Sequence, residues 1–272
     1  MALLVLRARE EHWKAVLRLA YQDVILNALL IYDWRKLRGT GACDFYVALS
    51  SKKGVEAACV VFHDRDFDSV LFCGSRSGVK AILTEVRPSR AVMPVVRPEE
   101  LDVVLEALGG RAGPIYDALL MKCTKNSFKP LIKQDVIRLG LEHAEIFRFF
   151  MAEREVQPVV MTPREALERL SDEERPVFAV IEDGRIASVA TISFSMPEVS
   201  MVGVVYTAPE LRNRGLATSV VSVATSEALR RSKVAALIVG ADNAPAIRVY
   251  EKVGYVTHRC LKWICVELDY PP

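Results

Sequence analysis

One order of elements is written twice in this chain, and that repetition limits the folds open to it. In the first half FYVAL (45–49), a turn and VEAACVVF (55–62) read as a hairpin, followed by a third strand SVLFCG (69–74). In the second half VFAVI (177–181), the turn EDG and RIASVATISF (185–194) read as another, followed by VSMVGVVYT (199–207). Asp183-Gly184 is a strong two-residue hairpin signal, and the turn glycines Gly54 and Gly184 are 130 residues apart. After the third strand, the second half continues with a loop, a helix from Leu216 to Arg231, a strand (234–241) and a helix from Ala244 to Val253. The first half continues with GSRSG (74–78), a shorter helix, a strand AVMPVV (91–96) and a helix over 98–108. Each half opens with helical material, over 9–37 and over 143–153 with 163–172. Strands alternating with helices in this way predict an α/β fold, a mixed sheet covered by helices, in two tandem domains. The polar stretch TKNSFKP (124–130) sets the expected boundaries: a first domain over 1–123, a linker over 124–134 and a second domain over 135–272.

Composition narrows the partners. A net charge of +2 and a 51% hydrophobic content give no electrostatic case for bulk nucleic-acid or membrane binding. No apolar run approaches the length of a membrane span, and the start MALLVLRAREEHWK lacks the parts of a signal peptide, so a cytoplasmic protein is expected. The six cysteines form no CxxC pair and read as buried thiols. His258 and Cys260 alternate on one strand without two further ligands, so no metal is expected. Three Gln and four Asn are few for this length, which hints at a thermophilic source.

The chemistry-bearing signal is ELRNRGLA (210–217), at the start of a predicted helix. Helix N-termini favour Ser, Thr, Asp or Asn and acidic first turns, so Arg212 and Arg214 oppose the dipole unless an anion sits there. Gly215 and the small Ala217 leave the backbone N–H groups open, and a pyrophosphate suits several donors and two cations converging on one place. Downstream, GADNAPAIRVYEKVGY (240–255) reads as a helix with Asn243 as cap, Pro245 in the first turn and Gly254 at the stop. Asn243, Ala246 and Tyr250 are spaced three and four apart and share one helical face.

Together these segments resemble the GNAT superfamily of acyl-CoA-dependent N-acyltransferases, across residues 140–257. The likeness is greatest to two-domain prokaryotic members with a degenerate first half, and glycine N-acyltransferase-like proteins have a similar organisation. The resemblance implies acetyl-CoA as acyl donor, with its pyrophosphate on the backbone of Arg212, Asn213, Arg214, Gly215, Leu216, Ala217 and Thr218. It implies that the pantetheine arm pairs like an extra strand with Val204, Val205, Tyr206 and Thr207. It also implies that Asn243 and Ala246 flank the cofactor, and that Tyr250 is the catalytic group near the thioester sulfur. The acceptor would be an amine, on a small molecule or a protein, attacking the thioester directly. Two departures stand out. Many relatives carry a glutamate base mid-strand, where this chain has Met201–Val202–Gly203, and Glu198 falls at the strand start. In the first half, GSRSG is too short for a phosphate loop and Val103 aligns with Tyr250, so residues 1–123 read as a degenerate copy that walls the acceptor pocket. IYDWRKL (31–37) reads as a packed helix end of that copy. A non-catalytic acyl-CoA sensor is the alternative of a different class; a Walker-type nucleotide site lacks its GKS or GKT.

Overall fold

The computed structural model describes residues 3–52, 54–64, 66–155 and 158–268. It divides into two compact units, Met1–Leu119 with Arg259–Pro272, and Leu120–His258.

In the first unit, β1 (Leu4–Arg7), α1 (Trp13–Ala20) and α2 (Ala28–Lys36) precede the hairpin β2 (Cys43–Ser50) and β3 (Gly54–His63). Then come β4 (Asp68–Gly74), α3 (Arg76–Val86), β5 (Ala91–Val96), α4 (Leu101–Leu108) and the start of β6 (Ala112–Thr124). β1 to β4 run antiparallel in sequence order, and β4 pairs parallel with β5 only at Asp68 and Ser69. Val79, Ile82 and Leu83 of α3 and Val104 and Leu108 of α4 cover the apolar face of β3, β4 and β5, which includes Cys59, Val61, Phe72 and Met93.

The second unit takes the end of β6 and then β7 (Ile137–Arg138), α5 (Ala144–Ala152), α6 (Pro163–Ser171), β8 (Val177–Glu182) and β9 (Arg185–Ser195). It continues with β10 (Val199–Thr207), α7 (Leu216–Arg231), β11 (Val234–Gly240), α8 (Ala244–Val253) and the first residues of β12 (Val256–Val266). Its strand order is β6-β11-β10-β9-β8-β7. Thr162 caps α6, accepting from Glu165 N–H while Glu165 reaches back to the Thr162 N–H at 2.8 Å, a reciprocal box that fixes the start of the helix. The hairpin turn at Asp183-Gly184 has both residues at positive φ, 47° and 72°, as a type I′ turn requires.

The predicted order of elements is present in both halves, and the fold is α/β with a mixed sheet. The chain's division into units follows another line from the one expected. Residues 124–134, read as a linker, lie within the second unit, where Leu131 N–H and Lys133 N–H donate to Ser222 and Ser219 of α7, each at 3.1 Å. The end of β12, counted with the second domain in the sequence, belongs to the first unit, where it runs antiparallel to β5 from Lys262↔Val96 to Val266↔Ala91.

Candidate active site

β10 and β11 begin as a parallel pair and then part. Their register runs only from Val199↔Val234 to Met201↔Ala236, although β10 continues to Thr207. Beyond Met201 one edge of β10 therefore has backbone groups that β11 does not satisfy, in the interior of the unit's sheet. The opposite edge is irregular as well: the pairing with β9 shifts between Gly203 and Tyr206. Val204 sits in that bulge at φ 41°, a conformation that a β-branched residue adopts only under constraint. Bulges of this kind re-aim backbone and side chains next to functional sites. Tyr206 and Thr207 close the strand; Ser188 donates to the Tyr206 carbonyl at 3.2 Å and shares a hydrogen bond with Thr207 Oγ1 at 2.8 Å.

The loop after β10 leads directly to α7. Asn213 is left-handed at φ 64°, and Gly215 follows as the N-cap at φ 82° with no side chain capping the helix. The first helical bond is Ser219 N–H to the Gly215 carbonyl, so the N–H groups of Leu216, Ala217 and Thr218 come before it and find no partner inside the helix. Nothing lies within 4 Å of a Cβ built on Gly215, so the helix start is open to a ligand.

The two arginines do not converge there. The Arg212 guanidinium donates to Glu155 at 2.6 Å and to the Thr207 carbonyl at 3.3 Å, and Arg214 makes a two-pronged pair with Glu182 at 2.7 and 3.0 Å. These ion pairs are half-exposed and of the kind worth under about 1 kcal/mol. An anion at the helix start would compete with two carboxylates for these cations. Glu155 and Glu182 are 57 and 32 residues from their partners, so no local spacing in the sequence reveals them.

Asn243 caps α8, its Oδ1 accepting from the Ala246 N–H at 3.2 Å. Asn243 is exposed, Ala246 is half-buried and Tyr250 is buried, as one helical face that runs inward requires. The Tyr250 ring meets Tyr255 edge-on at 5.9 Å, and burial pushes its hydroxyl pKa up to about 12. A phenol in that state is a proton donor at every ordinary pH and never a base. α8 packs against α7 and follows β11, the strand that departs from β10.

The residues that build this parting of two parallel strands and the uncapped helix start lie within one family match. The acetyltransferase (GNAT) family model aligns with residues 142–255. That match covers 114 of the chain's 272 residues, all of them in the second half, whose fold is GNAT-like. No curated protein matches the chain in sequence. Among solved structures, a Drosophila protein superposes with a TM-score of 0.72 at 14% identity, over 99% of this chain and 100% of that one. A GCN5-related N-acetyltransferase from Sphaerobacter thermophilus gives 0.66 at 15%, over 99% and 98%. A tandem GNAT protein from the clavulanic acid biosynthesis pathway gives 0.62 at 14%, over 99% of each chain. At such identities the likeness concerns fold, and the fold is that of two tandem GNAT-like domains.

Unlike the second half, the first half has closed the equivalent helix start. Ser75 caps α3, accepting from the Gly78 N–H at 3.2 Å, and so consumes a donor that is free in α7. A Cβ at Gly78 would come 2.6 Å from Ala57 Cβ, and one at Gly74 would come 2.3 Å from the Glu56 carbonyl oxygen, so strand β3 fills the space that a ligand would need. In the second half, Met201, Val202 and Gly203 bring no carboxylate to the middle of β10, and Glu198 immediately precedes the strand. Among the described residues no cluster of His, Cys, Asp and Glu has the makings of a metal site, and no described helix is long and apolar enough to cross a membrane.

Proposed function

We propose that the GNAT domain is an N-acetyltransferase that transfers an acetyl group from acetyl-CoA to a primary amine by direct attack. The observation that carries this reading is the uncapped, sterically open start of α7 at the end of a strand whose edge is unpaired. Such a helix start offers aligned N–H donors and the positive end of the dipole to a pyrophosphate. The free edge of β10 from Val204 to Thr207 offers alternating donors and acceptors to an extended amide-bearing chain, as an added strand would use them. The donor set therefore fits CoA.

Bound acetyl-CoA supplies the activated thioester. Leu216, Ala217 and Thr218 hold the phosphates through their N–H groups, with Arg212 and Arg214 adding charge once they exchange carboxylate for phosphate. Asn243 and Ala246 line the side of α8 facing the cofactor. The N–H groups freed by the bulge at Val204 and Val205 stabilise negative charge on the carbonyl oxygen. Tyr250, which its raised pKa keeps protonated, hydrogen-bonds the departing sulfur and gives it a proton. Much of the acceleration comes from holding amine and thioester together. The attacking nitrogen gives up its proton to solvent, because the middle of β10 carries no carboxylate to take it.

Calorimetric titration with acetyl-CoA tests the binding half of this reading. Gly215→Glu is expected to weaken binding at least about tenfold, because a carboxylate replaces the open anion site, whereas Gly215→Ala carries only the backbone strain. Equal losses in both variants would remove the anion site. For the chemical half, Tyr250→Phe is expected to lower kcat by about a hundredfold with acetyl-CoA affinity retained. An unchanged kcat would strip Tyr250 of its role. An acyl-CoA sensor would bind in the first experiment and turn over no amine.

A further inference from the structure

At the end of α7 remote from Gly215, cations gather with too few carboxylates to match them. Lys125 and Asn126 of the turn after β6, Arg230 and Arg231 of the last turn of α7, and Lys233 line one cavity of about 470 Å³. No carboxylate among the described residues lines it. Glu227 serves both arginines: Arg230 donates to its two oxygens at 2.7 and 2.8 Å, and Arg231 Nε donates to one of them at 2.6 Å. Lys125 and Lys233 are exposed, and among the described residues their ammonium groups have no partner. Four cations against the one carboxylate of Glu227 leave a net charge of three around the cavity. The dipole of α7 favours cations in its last turn, which accounts for Arg230 and Arg231. It does not account for Lys125, which arrives from a different segment.

The walls of the cavity are fixed by bonds that leave those lysine side chains out. Ser127 N–H donates to the Thr124 carbonyl at 3.1 Å and Thr124 N–H to Ser127 Oγ at 3.0 Å, which closes the turn after β6. Ser232, buried at the end of α7, is tied to Ser200 at 2.6 Å and to the Met196 carbonyl at 2.5 Å. Arg231 donates to the Glu174 and Glu173 carbonyls at 3.0 and 3.1 Å, and Lys233 N–H to the Pro197 carbonyl at 3.1 Å. A ligand therefore meets a pre-formed site in which the two ammonium groups and the Asn126 amide are the free donors. The site is separate from the open start of α7. With 16 residues the helix is about 24 Å long, and the two sites lie at its opposite ends.

We infer that this cavity binds the phosphate chain of a polyphosphate-bearing small molecule, through Lys125, Lys233 and the Asn126 amide. The guanidinium forks, which would recognise a planar carboxylate in two-pronged geometry, already hold Glu227 and backbone carbonyls. The free cations are ammonium groups, compact charges with rotatable donors that suit phosphate oxygens. Two of them from separate segments, with the charge of the arginines behind them, suit two or more linked phosphates. A nucleoside polyphosphate and an inorganic chain share that chemistry. The inference goes beyond the acetyltransferase reading and does not depend on it.

The test is calorimetry with inorganic tripolyphosphate, ATP and citrate, each titrated without metal. Wild-type protein is expected to bind tripolyphosphate saturably and more tightly than citrate. The double variant Lys125→Ala, Lys233→Ala should weaken tripolyphosphate at least about tenfold and keep the wild-type affinity for acetyl-CoA. Gly215→Glu should leave tripolyphosphate binding unchanged, because its charge stands at the other end of α7. ATP binding more tightly than tripolyphosphate assigns the chain to a nucleotide, and equal binding assigns it to the phosphates alone. Equal tripolyphosphate affinity in wild type and the double-lysine variant overturns the inference, as does no saturable binding at all. Loss of tripolyphosphate binding in Gly215→Glu overturns it too, because the anion then sits at the start of α7. Citrate binding as tightly as tripolyphosphate overturns the ligand class. A wild type that fails to bind acetyl-CoA defeats the acetyltransferase reading alone, in its own titration.

Discussion

Gly254→Ala is expected to cost the second unit more than about 4 kcal/mol, beyond the range of most point substitutions. Gly254 ends α8 at φ 105°, where its N–H donates to the Tyr250 and Glu251 carbonyls at 3.1 and 3.0 Å. A Cβ there would stand 1.9 Å from the Ser127 carbonyl oxygen and 2.8 Å from the carbonyl carbon. Those are backbone atoms, and they cannot turn aside. The turn carrying them is fixed by Ser127 N–H to the Thr124 carbonyl at 3.1 Å, and Lys129 N–H holds the Val253 carbonyl at 2.8 Å. Gly184→Ala is the control: it also has positive φ, but nothing lies within 4 Å, so only a backbone penalty of about 1–2 kcal/mol is expected. Amide hydrogen exchange over the second unit reads the difference. Tryptophan fluorescence would not, because Trp13, Trp34 and Trp263 all belong to the first unit. Similar costs for the two substitutions would mean that the contact with Ser127 yields easily.

The first unit is expected to lose stability as pH rises from about 4 to about 7, and Asp33→Asn to abolish that loss. Asp33 is only 3% exposed, on α2 beside the stacked pair Trp13 and Trp34, whose rings are 5.0 Å apart. Burial pushes its carboxyl pKa from 3.8 up to about 7. The folded form therefore keeps a proton that the unfolded chain gives up. Below the unfolded pKa both forms are protonated and the group costs nothing. Between the two values the unfolded state gains, and above about 7 the cost is constant. At about 1.36 kcal/mol per pKa unit, a shift of this size is worth on the order of 4 kcal/mol at pH 8. The difference between wild type and Asp33→Asn isolates this group from the other carboxylates. It should open across that window when urea unfolding is followed by tryptophan emission. A difference independent of pH would show that Asp33 finds a counter-charge.

Local chemistry explains why so much of this fold was legible in the sequence. Gly54 and Gly184 mark turns, period-two alternation marks the strands they join, and Asn243 and Gly254 bracket a helix, all within a few residues of one another. The open start of α7 was legible for the same reason, since Gly215 and the residues around it carry the signal themselves. What lay beyond reach is what depends on distant partners. Nothing near Arg212 or Arg214 announces Glu155 or Glu182, and nothing in RNRGLA says that its cations are already spoken for. The left-handed Val204 is equally silent, because a valine inside a valine-rich strand reads as plain β. IYDWRKL shows an aspartate in a helix, while the burial that alters its acidity comes from tertiary packing. VTHRCLKWICV reads clearly as a strand, yet alternation says nothing about which strand lies beside it.

That last strand has a consequence for how the molecule is made. Beside β5 and the first part of β6, the first unit takes Lys262 to Asp117 at 2.6 Å, and Glu267 N–H to the Arg111 carbonyl at 3.1 Å. Leu268 O lies only 2.5 Å from where a Cβ on Gly113 would be. These partners leave the ribosome only after every residue of the second unit has been synthesised. The half translated first is therefore the half completed last, waiting with an unfilled slot in its sheet while the second unit can already close.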